Sequence, residues 1–290
     1  MNSDKLYRYI DFFDLYNLVD RKLLRVSQAT GFSDKNEGFA FILREIEGKF
    51  LRAFGAPTGF EGSKIVNTLS YISCWSTEPN KVAMWLLYSR DSQGFRIQTT
   101  RTKLEAILEA YRDSYETSPD KIKSFSPKHG EAIFHVTYED FREVKKGLES
   151  RNSEIQKKIN CLPKNTSNVA RMRDYSNIVM ETLNAFRFTS NPWSYKDKAY
   201  DHEKEVRAVI EFEPSDEEGN SLMGDVIYLS DSFPQRIHLA ICDDFIEEIC
   251  IDERCYDFKK EVFRSFLRKY GYSLRESHVF SSLFDEADMP

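Results

Sequence analysis

Hydrophobic and polar positions along the chain repeat with two periods, and the change from one to the other marks its elements. Leu6 to Ile10 is short, aromatic and alternating, which predicts a first strand. Asp11 or Asp14 then caps a helix running through Val19, and Leu23 to Ser27 is a second strand. Gly31 to Gly38 reads as a loop. Phe39, Ile42, Leu43, Ile46, Phe50 and Leu51 recur at helical spacing, so a helix is expected over 39–54. Val66 to Trp75 returns to strand alternation. A short helix follows from Pro79 to Tyr88, with proline in its first turn, and then a strand from Gly94 to Gln98. Thr102 with Glu105 three residues on has the spacing of a capping box opening the next helix.

The middle of the chain is more polar. Residues 117–130 read as a Ser/Pro/Lys loop, Ala132 to Tyr138 as a strand, and about 139–160 and 168–187 as two helices broken at Leu162-Pro163. Three strands come close together after Asn191-Pro192-Trp193: Val206 to Phe212, Asp225 to Leu229 and Arg236 to Cys242. A strand from Ile246 to Ile251, a helix from Phe258 to Tyr270 and an extended piece from Ser273 to Val279 close the chain. Strands dominate both ends and helices the middle. That distribution predicts one α+β domain over 1–290, with a helical insertion at about 102–190, rather than alternating βαβ units.

Composition narrows the class. With 41% hydrophobic and 30% charged residues, 290 residues suffice for a substantial core. No run is long enough to span a bilayer, and the N-terminus lacks the basic-then-apolar order of a signal peptide. Cys74, Cys161, Cys242, Cys250 and Cys255 are odd in number and form no C-x-x-C pair, which predicts reduced thiols in a cytoplasmic protein. The histidines show no metal-ligand spacing, so no metal site is expected. Dinucleotide-fold, P-loop, nucleophile-elbow and zinc-protease motifs are all missing. Charge is uneven: residues 142–173 hold nine Lys/Arg against three Glu, whereas 211–290 hold 19 acids against 8 Lys/Arg. Lys145, Lys146, Arg151, Lys157, Lys158, Arg171 and Arg173 therefore make a candidate nucleic-acid face, with a solvated helical surface as the plainer reading.

Several local patterns, in order, resemble a widespread bacterial family of unknown function. They are the strand Tyr7-Arg8-Tyr9, the leucine-rich strand ending at Ser27, Cys74-Trp75-Ser76, Met84-Trp85-Leu86-Leu87-Tyr88, Gly94-Phe95, Val136-Thr137-Tyr138 and Glu203-Lys204-Glu205-Val206-Arg207. The family's Phe-Asn-Asp-Pro-Phe-Glu loop is altered to Phe32-Ser33-Asp34-Lys35-Asn36-Glu37. Arg on the first strand, Ser ending the second and Glu-x-Glu entering a late strand is also similar to the Arg-Ser-Glu arrangement of ADP-ribosyltransferases. That resemblance implies a split, mainly antiparallel sheet that binds NAD in a cleft. It would place Arg8 near the phosphates or the nicotinamide ribose, Ser27 on that ribose, Glu205 as the catalytic carboxylate and Glu203 as its auxiliary.

The chemistry explains why such residues are needed. Breaking the nicotinamide–ribose bond creates an oxocarbenium-like sugar, which a carboxylate on the ribose hydroxyl stabilises as charge develops. On one strand Glu203 and Glu205 would face the same side roughly 7 Å apart, one holding the sugar and one taking a proton. Arg207, on that same face, would pair with a carboxylate or hold a phosphate. Tyr9, Trp85 and Tyr88 are the candidate stacking surfaces for nicotinamide or adenine. The acceptor would be nucleic acid or protein, and an enzyme of this kind would act as a toxin or phage-defence effector with a neutralising antitoxin partner. Three alternatives stand beside it: an NAD glycohydrolase, a metal-dependent nuclease built on Asp34, Glu37, Glu203 and Glu205, and a non-enzymatic binding module whose Glu203, Glu205 and Arg207 form a charged strand face.

Overall fold

The computed structural model describes residues 4–32, 68–117, 121–122, 124–162, 192–215 and 233–281, together with 170, 173–174, 177–178 and 181. The helix expected over 39–54 and the strand expected over 225–229 lie outside them. So does most of the second middle helix.

The chain begins with β1 (Lys5–Ile10), α1 (Phe12–Asp20) and β2 (Leu23–Gln28). Asp11 accepts from the Asp14 amide at 2.8 Å, so it is Asp11 that caps α1. After β3 (Ser70–Ser76) comes α2 (Val82–Tyr88), which starts later than Pro79 predicted. The Pro79 carbonyl is engaged instead by the Tyr9 hydroxyl and Arg96. β4 (Phe95–Thr100) runs straight into α3 (Arg101–Ser114). The α3 cap is Thr100, which accepts from the Lys103 amide, and Glu105 pairs with Arg101; the Thr102 capping box does not form.

The expected loop at 117–130 contains a short strand, β5 (Phe125–Pro127). The single strand expected over 132–138 is broken at Val136 into β6 (Ile133–His135) and β7 (Thr137–Glu139). α4 (Phe141–Asn160) follows, then β8 (Tyr195–Asp197), β9 (Glu205–Pro214), β10 (Arg236–Ala240), β11 (Glu248–Ile251), α5 (Asp257–Arg268) and β12 (Leu274–Glu276). α3 buries Leu104, Ile107, Leu108 and Tyr111 in the main core, and β5 and β6 both hydrogen-bond to β9.

The architecture is α+β with a mainly antiparallel sheet; among the described pairs only β11/β12 and β7/β8 are parallel. Its register contains a fork. β3 pairs along one edge with β9, from Ser70↔Glu211 to Ser76↔Glu205. Its other edge is shared. β2 takes the start, at Ser27↔Ile72 and Gln28↔Tyr71, and β1 takes the far end, at Tyr7↔Ser76. From there the sheet continues as two wings, β1-β4-β11-β12 and β2-β10. Between the wings, Ser73, Cys74 and Trp75 have no strand partner on that edge in the register.

Strand alternation sorts the two faces. Leu6, Ile10, Leu24, Val26, Tyr71, Trp75, Val206, Ala208 and Ile210 point to the main core, which is closed by α1, α3 and α5. Because α3 packs on both β4 and β10, it ties the wings together behind the fork. Burying each of its leucines and isoleucines contributes roughly 1.5–3 kcal/mol, so the fork is held open by a packed back rather than by the strands beside it. The other face carries Tyr7, Tyr9, Arg25, Ser27, Ile72, Cys74, Glu205 and Arg207, and the 192–203 stretch lies over part of it, with Trp193 packed on Ile72 and Val209.

Candidate functional site

The fork opens into a cavity of about 310 Å³, at the small end of ligand pockets. Arg8, Tyr9, Asp14, Arg25, Ser27, Phe32, Ile72, Cys74, Trp75, Tyr88, Glu203 and Glu205 are among the residues that line it.

Its carboxylate end is set by one backbone turn. A 3-10 helix over Lys198–Glu203 ends at Lys204, whose φ of 45° and ψ of 53° are left-handed. β9 begins at the next residue. Glu203 therefore stands at the end of a helical turn and not, as expected, two places before Arg207's neighbour on a strand. Both carboxylates nevertheless meet at one nitrogen: Lys196 Nζ lies 2.6 Å from Glu203 Oε2 and 3.0 Å from Glu205 Oε2. Glu205 and Arg207 do share a strand face. Arg207 donates from Nε to Glu205 Oε1 at 2.9 Å and from Nη2 to Oε2 at 3.1 Å, and from Nη1 to the Trp193 carbonyl.

All four of these charged groups are buried: Glu203 5%, Glu205 3%, Lys196 8% and Arg207 0% exposed. Two anions and two cations balance, which is the condition for burying charge at tolerable cost. Burial opposes ionisation of Glu205, but Arg207 and Lys196 overcome it and hold the carboxyl at about 2. Burial pushes the Cys74 thiol well up, so it stays neutral beside Glu205. Tyr138 accepts from the Glu205 amide at 2.7 Å.

The acceptor sites divide the two carboxylates by role. A carboxylate offers about four lone-pair sites. Glu205 takes three charge-assisted bonds, from Arg207 Nε, Arg207 Nη2 and Lys196 Nζ. Among the described residues Glu203 receives Lys196 on Oε2 and the Tyr88 hydroxyl on Oε1, at 3.2 Å. Glu203, with two bonds against three, thus keeps more capacity than Glu205 for a ligand hydroxyl.

The opposite end is cationic. Arg8 has the parity of Leu6 and Ile10, so its side chain enters the fork from the core side. There Nη1 donates to Ser73 Oγ at 2.8 Å and to the Arg25 carbonyl at 3.1 Å. The Trp75 indole also donates to Ser73, and the Arg8 guanidinium lies 5.8 Å from the Trp75 ring. Arg25 pairs with Asp14 at 2.7 Å. Burial pushes the Asp14 carboxyl up despite Arg8 and Arg25. Two guanidinium groups against one carboxylate leave this end positive. An aromatic wall joins the ends: Tyr9 and Tyr88 stack with centroids 6.3 Å apart, and Trp85 meets Tyr9 edge-on at 5.0 Å.

Of the residues singled out from sequence, Arg8, Tyr9, Ser27, Tyr88, Glu203 and Glu205 converge on this cavity. Trp85 does not line it. It is 0% exposed and packs behind Tyr9 against Cys250 and Val279, so it supports a stacking surface without being one. Arg207 is also sealed, and orients Glu205 in place of contacting a ligand. Of the basic face, Lys146 pairs with Glu143 and Lys158 with Glu181, while Arg151 and Arg173 lie 3.9 Å from Glu154 and Asp174. These local pairs fit a solvated helix surface. Arg171 and the side chain of Lys145 lie outside the description, as do Asp34 and Glu37. Among the described residues no group of three or more His, Cys, Asp or Glu is placed to hold a metal ion.

Lys196, Cys74, Asp14 and Arg25 were not foreseen as site residues. Lys196 gave no spacing signal, because the contact depends on β8 and the left-handed turn at Lys204. Arg25 was legible in hindsight: it shares strand parity with Ser27.

A model of the family described as protein of unknown function (DUF2971) matches residues 84–208. That span runs from α2 into β9 and includes Tyr88, Lys196, Glu203, Glu205 and Arg207, but not Arg8 or Ser27. No curated protein and no solved structure matches the chain. No helix among the described residues is long and apolar enough to cross a membrane.

Proposed function

We propose that this protein transfers ADP-ribose from NAD to a macromolecular acceptor. The observation that carries the reading is the meeting of Arg8, Ser27, Tyr9, Tyr88 and the two carboxylates in one cavity at the fork of the sheet. A cationic end, a flat aromatic wall and a buried hydroxyl acceptor are the three things a dinucleotide needs: a site for phosphate, one for a base and one for ribose.

In this reading Arg8 meets the pyrophosphate and Tyr9 with Tyr88 stacks a ring. Glu203 accepts from the ribose hydroxyl, strengthening that bond as the C1′–N bond breaks and nicotinamide leaves with the bonding electron pair. The acceptor's nucleophile then bonds C1′ and passes its proton to solvent water. Glu205, which already takes three charge-assisted bonds, anchors Lys196 and Arg207. This reverses the roles that the Glu-x-Glu order alone suggested. A divalent cation is a poorer occupant, since Lys196 and Arg207 already neutralise both carboxylates.

Nicotinamide release from NAD by the purified protein tests the reading, for wild type against Glu203→Gln, with and without added RNA, DNA or protein. Turnover that falls at least about a hundredfold in Glu203→Gln, with label transferred to one additive, is expected. Free ADP-ribose as the sole product would make water the acceptor. No turnover and no NAD binding would overturn the reading.

A further inference from the structure

The residue that ties the two carboxylates together came from neither the strand motif nor the first strands of the sheet. Lys196 sits on β8, whose partner β7 supplies Tyr138, and its ammonium group is buried between Glu203 and Glu205. Two carboxylates this close repel, and without a cation one of them takes a proton. Arg207 does not perform this service for both, because its bonds to this pair go to Glu205 alone.

We propose that Lys196 is a positioning residue that keeps Glu203 and Glu205 ionised together and turns Oε1 of Glu203 towards the cavity as the acceptor for a ligand hydroxyl. The class of ligand follows from the charge count. With Lys196 and Arg207 in place this wall is neutral overall yet rich in acceptor oxygen, so it suits the hydroxyl groups of a sugar. It does not suit an amine or a metal ion. Among the described residues the groups facing the pair are Arg207 from β9, Tyr138 from β7, Cys74 from β3, Tyr88 from α2 and, 4.8 Å from Lys196 Nζ, the Tyr200 ring. Lys196 is the only cation among them that reaches both carboxylates. Tyr88 lends Glu203 its hydroxyl and lies on the cavity lining, so an incoming hydroxyl exchanges with it.

This inference rests on the proposed ADP-ribosyl transfer for its ligand but not for its first measurement. Protein labelled with carbon-13 at the glutamate carboxyl is titrated by NMR as wild type, Lys196→Met, Lys196→Arg and Lys196→Met/Glu203→Gln. In Lys196→Met one glutamate carboxyl titrates above about pH 6, well beyond the ordinary range. That signal is absent from wild type, from Lys196→Arg and from the double variant. The second measurement is kcat/KM for NAD against pH. Lys196→Met gains a new ionisation at the same pH and loses about tenfold or more at neutrality, and Lys196→Arg restores the wild-type profile. If Lys196→Met does not fold, Lys196→Gln, which hydrogen-bonds but is uncharged, carries the same titration.

A carboxyl that titrates in Lys196→Met while wild type never turns over NAD would support the clamp and sink the transferase reading. Turnover in wild type with no displaced carboxyl in Lys196→Met would do the reverse. A uniform loss of activity at every pH, unaccompanied by a new ionisation, would overturn the positioning role and leave Lys196 as structural.

Discussion

Replacing Glu205 by Gln should damage stability far more than replacing an exposed charge. Glu205 is 3% exposed and Arg207 0%. The substitution keeps the shape but removes the charge that Arg207 grips through two bonds and Lys196 through a third. Breaking a buried pair by neutralising one partner costs about 3–5 kcal/mol, mostly because the other charge stays buried. The acid titration gives a similar scale: displacement of the carboxyl from its ordinary 4.5 to about 2 corresponds to roughly 3 kcal/mol. For a chain of this size the loss lowers Tm by about 6–10 °C.

The folded-state value is the depressed one, so the contribution is fully present above about pH 4.5. It is lost as pH falls towards 2. Wild type therefore loses its margin over Glu205→Gln across that window, and the two converge at its acid end. Chemical denaturation at pH 7 and calorimetry across the acid range measure both effects. The double replacement Glu205→Leu/Arg207→Met removes both charges and should recover much of the loss. A single-variant cost below about 1 kcal/mol, as for an exposed pair, would refute the argument, as would a double variant worse than the sum of its parts.

Other substitutions test other links. In Gly94→Ala the added Cβ would sit 2.7 Å from Cα and Cβ of Ser89, so the α2–β4 turn must shift; a loss of about 1–3 kcal/mol by urea denaturation is expected. Trp85→Ala empties a fully buried site behind Tyr9 and should cost about 3–5 kcal/mol, with weaker ligand binding wherever the fold survives. Asp11→Ala removes the α1 cap and should cost about 0.5–2 kcal/mol without altering ligand affinity.

How far the sequence reveals this molecule depends on the range of the interactions involved. β1, α1, β2, α5 and the run of β9 are set by local alternation and caps, and their patterns predicted them to within a few residues. The capping box at Thr102 misled because β4 runs directly into α3, which moves the cap back to Thr100. β5 is three residues long and exists through its pairing with β9; no period of two is visible over so short a piece. At the site, the residues found were those whose type and strand position declared a chemistry, such as Arg8 and the Glu-x-Glu pair. Lys196 was missed because its meaning comes from a fold contact alone. For Trp85 and Tyr88, on one face of a short helix, sequence allows a stacking surface or core packing alike; Trp85 takes the core packing behind Tyr9 and Tyr88 lines the cavity.

The left-handed residue Lys204 makes the site more than a charged strand face. The turn at Lys204 ends the 3-10 helix and brings Glu203 back over the start of the strand, while the Ser76 hydroxyl holds the Glu203 carbonyl at 2.7 Å. A plain surface ladder needs none of this, and it leaves its charges in water, where each pair contributes little. Here a left-handed non-glycine residue, four buried charges and a fork in the sheet occur together, and each adds to the free-energy cost of folding. They share one consequence: an acceptor oxygen of Glu203 beside an aromatic wall, across a cavity from Arg8.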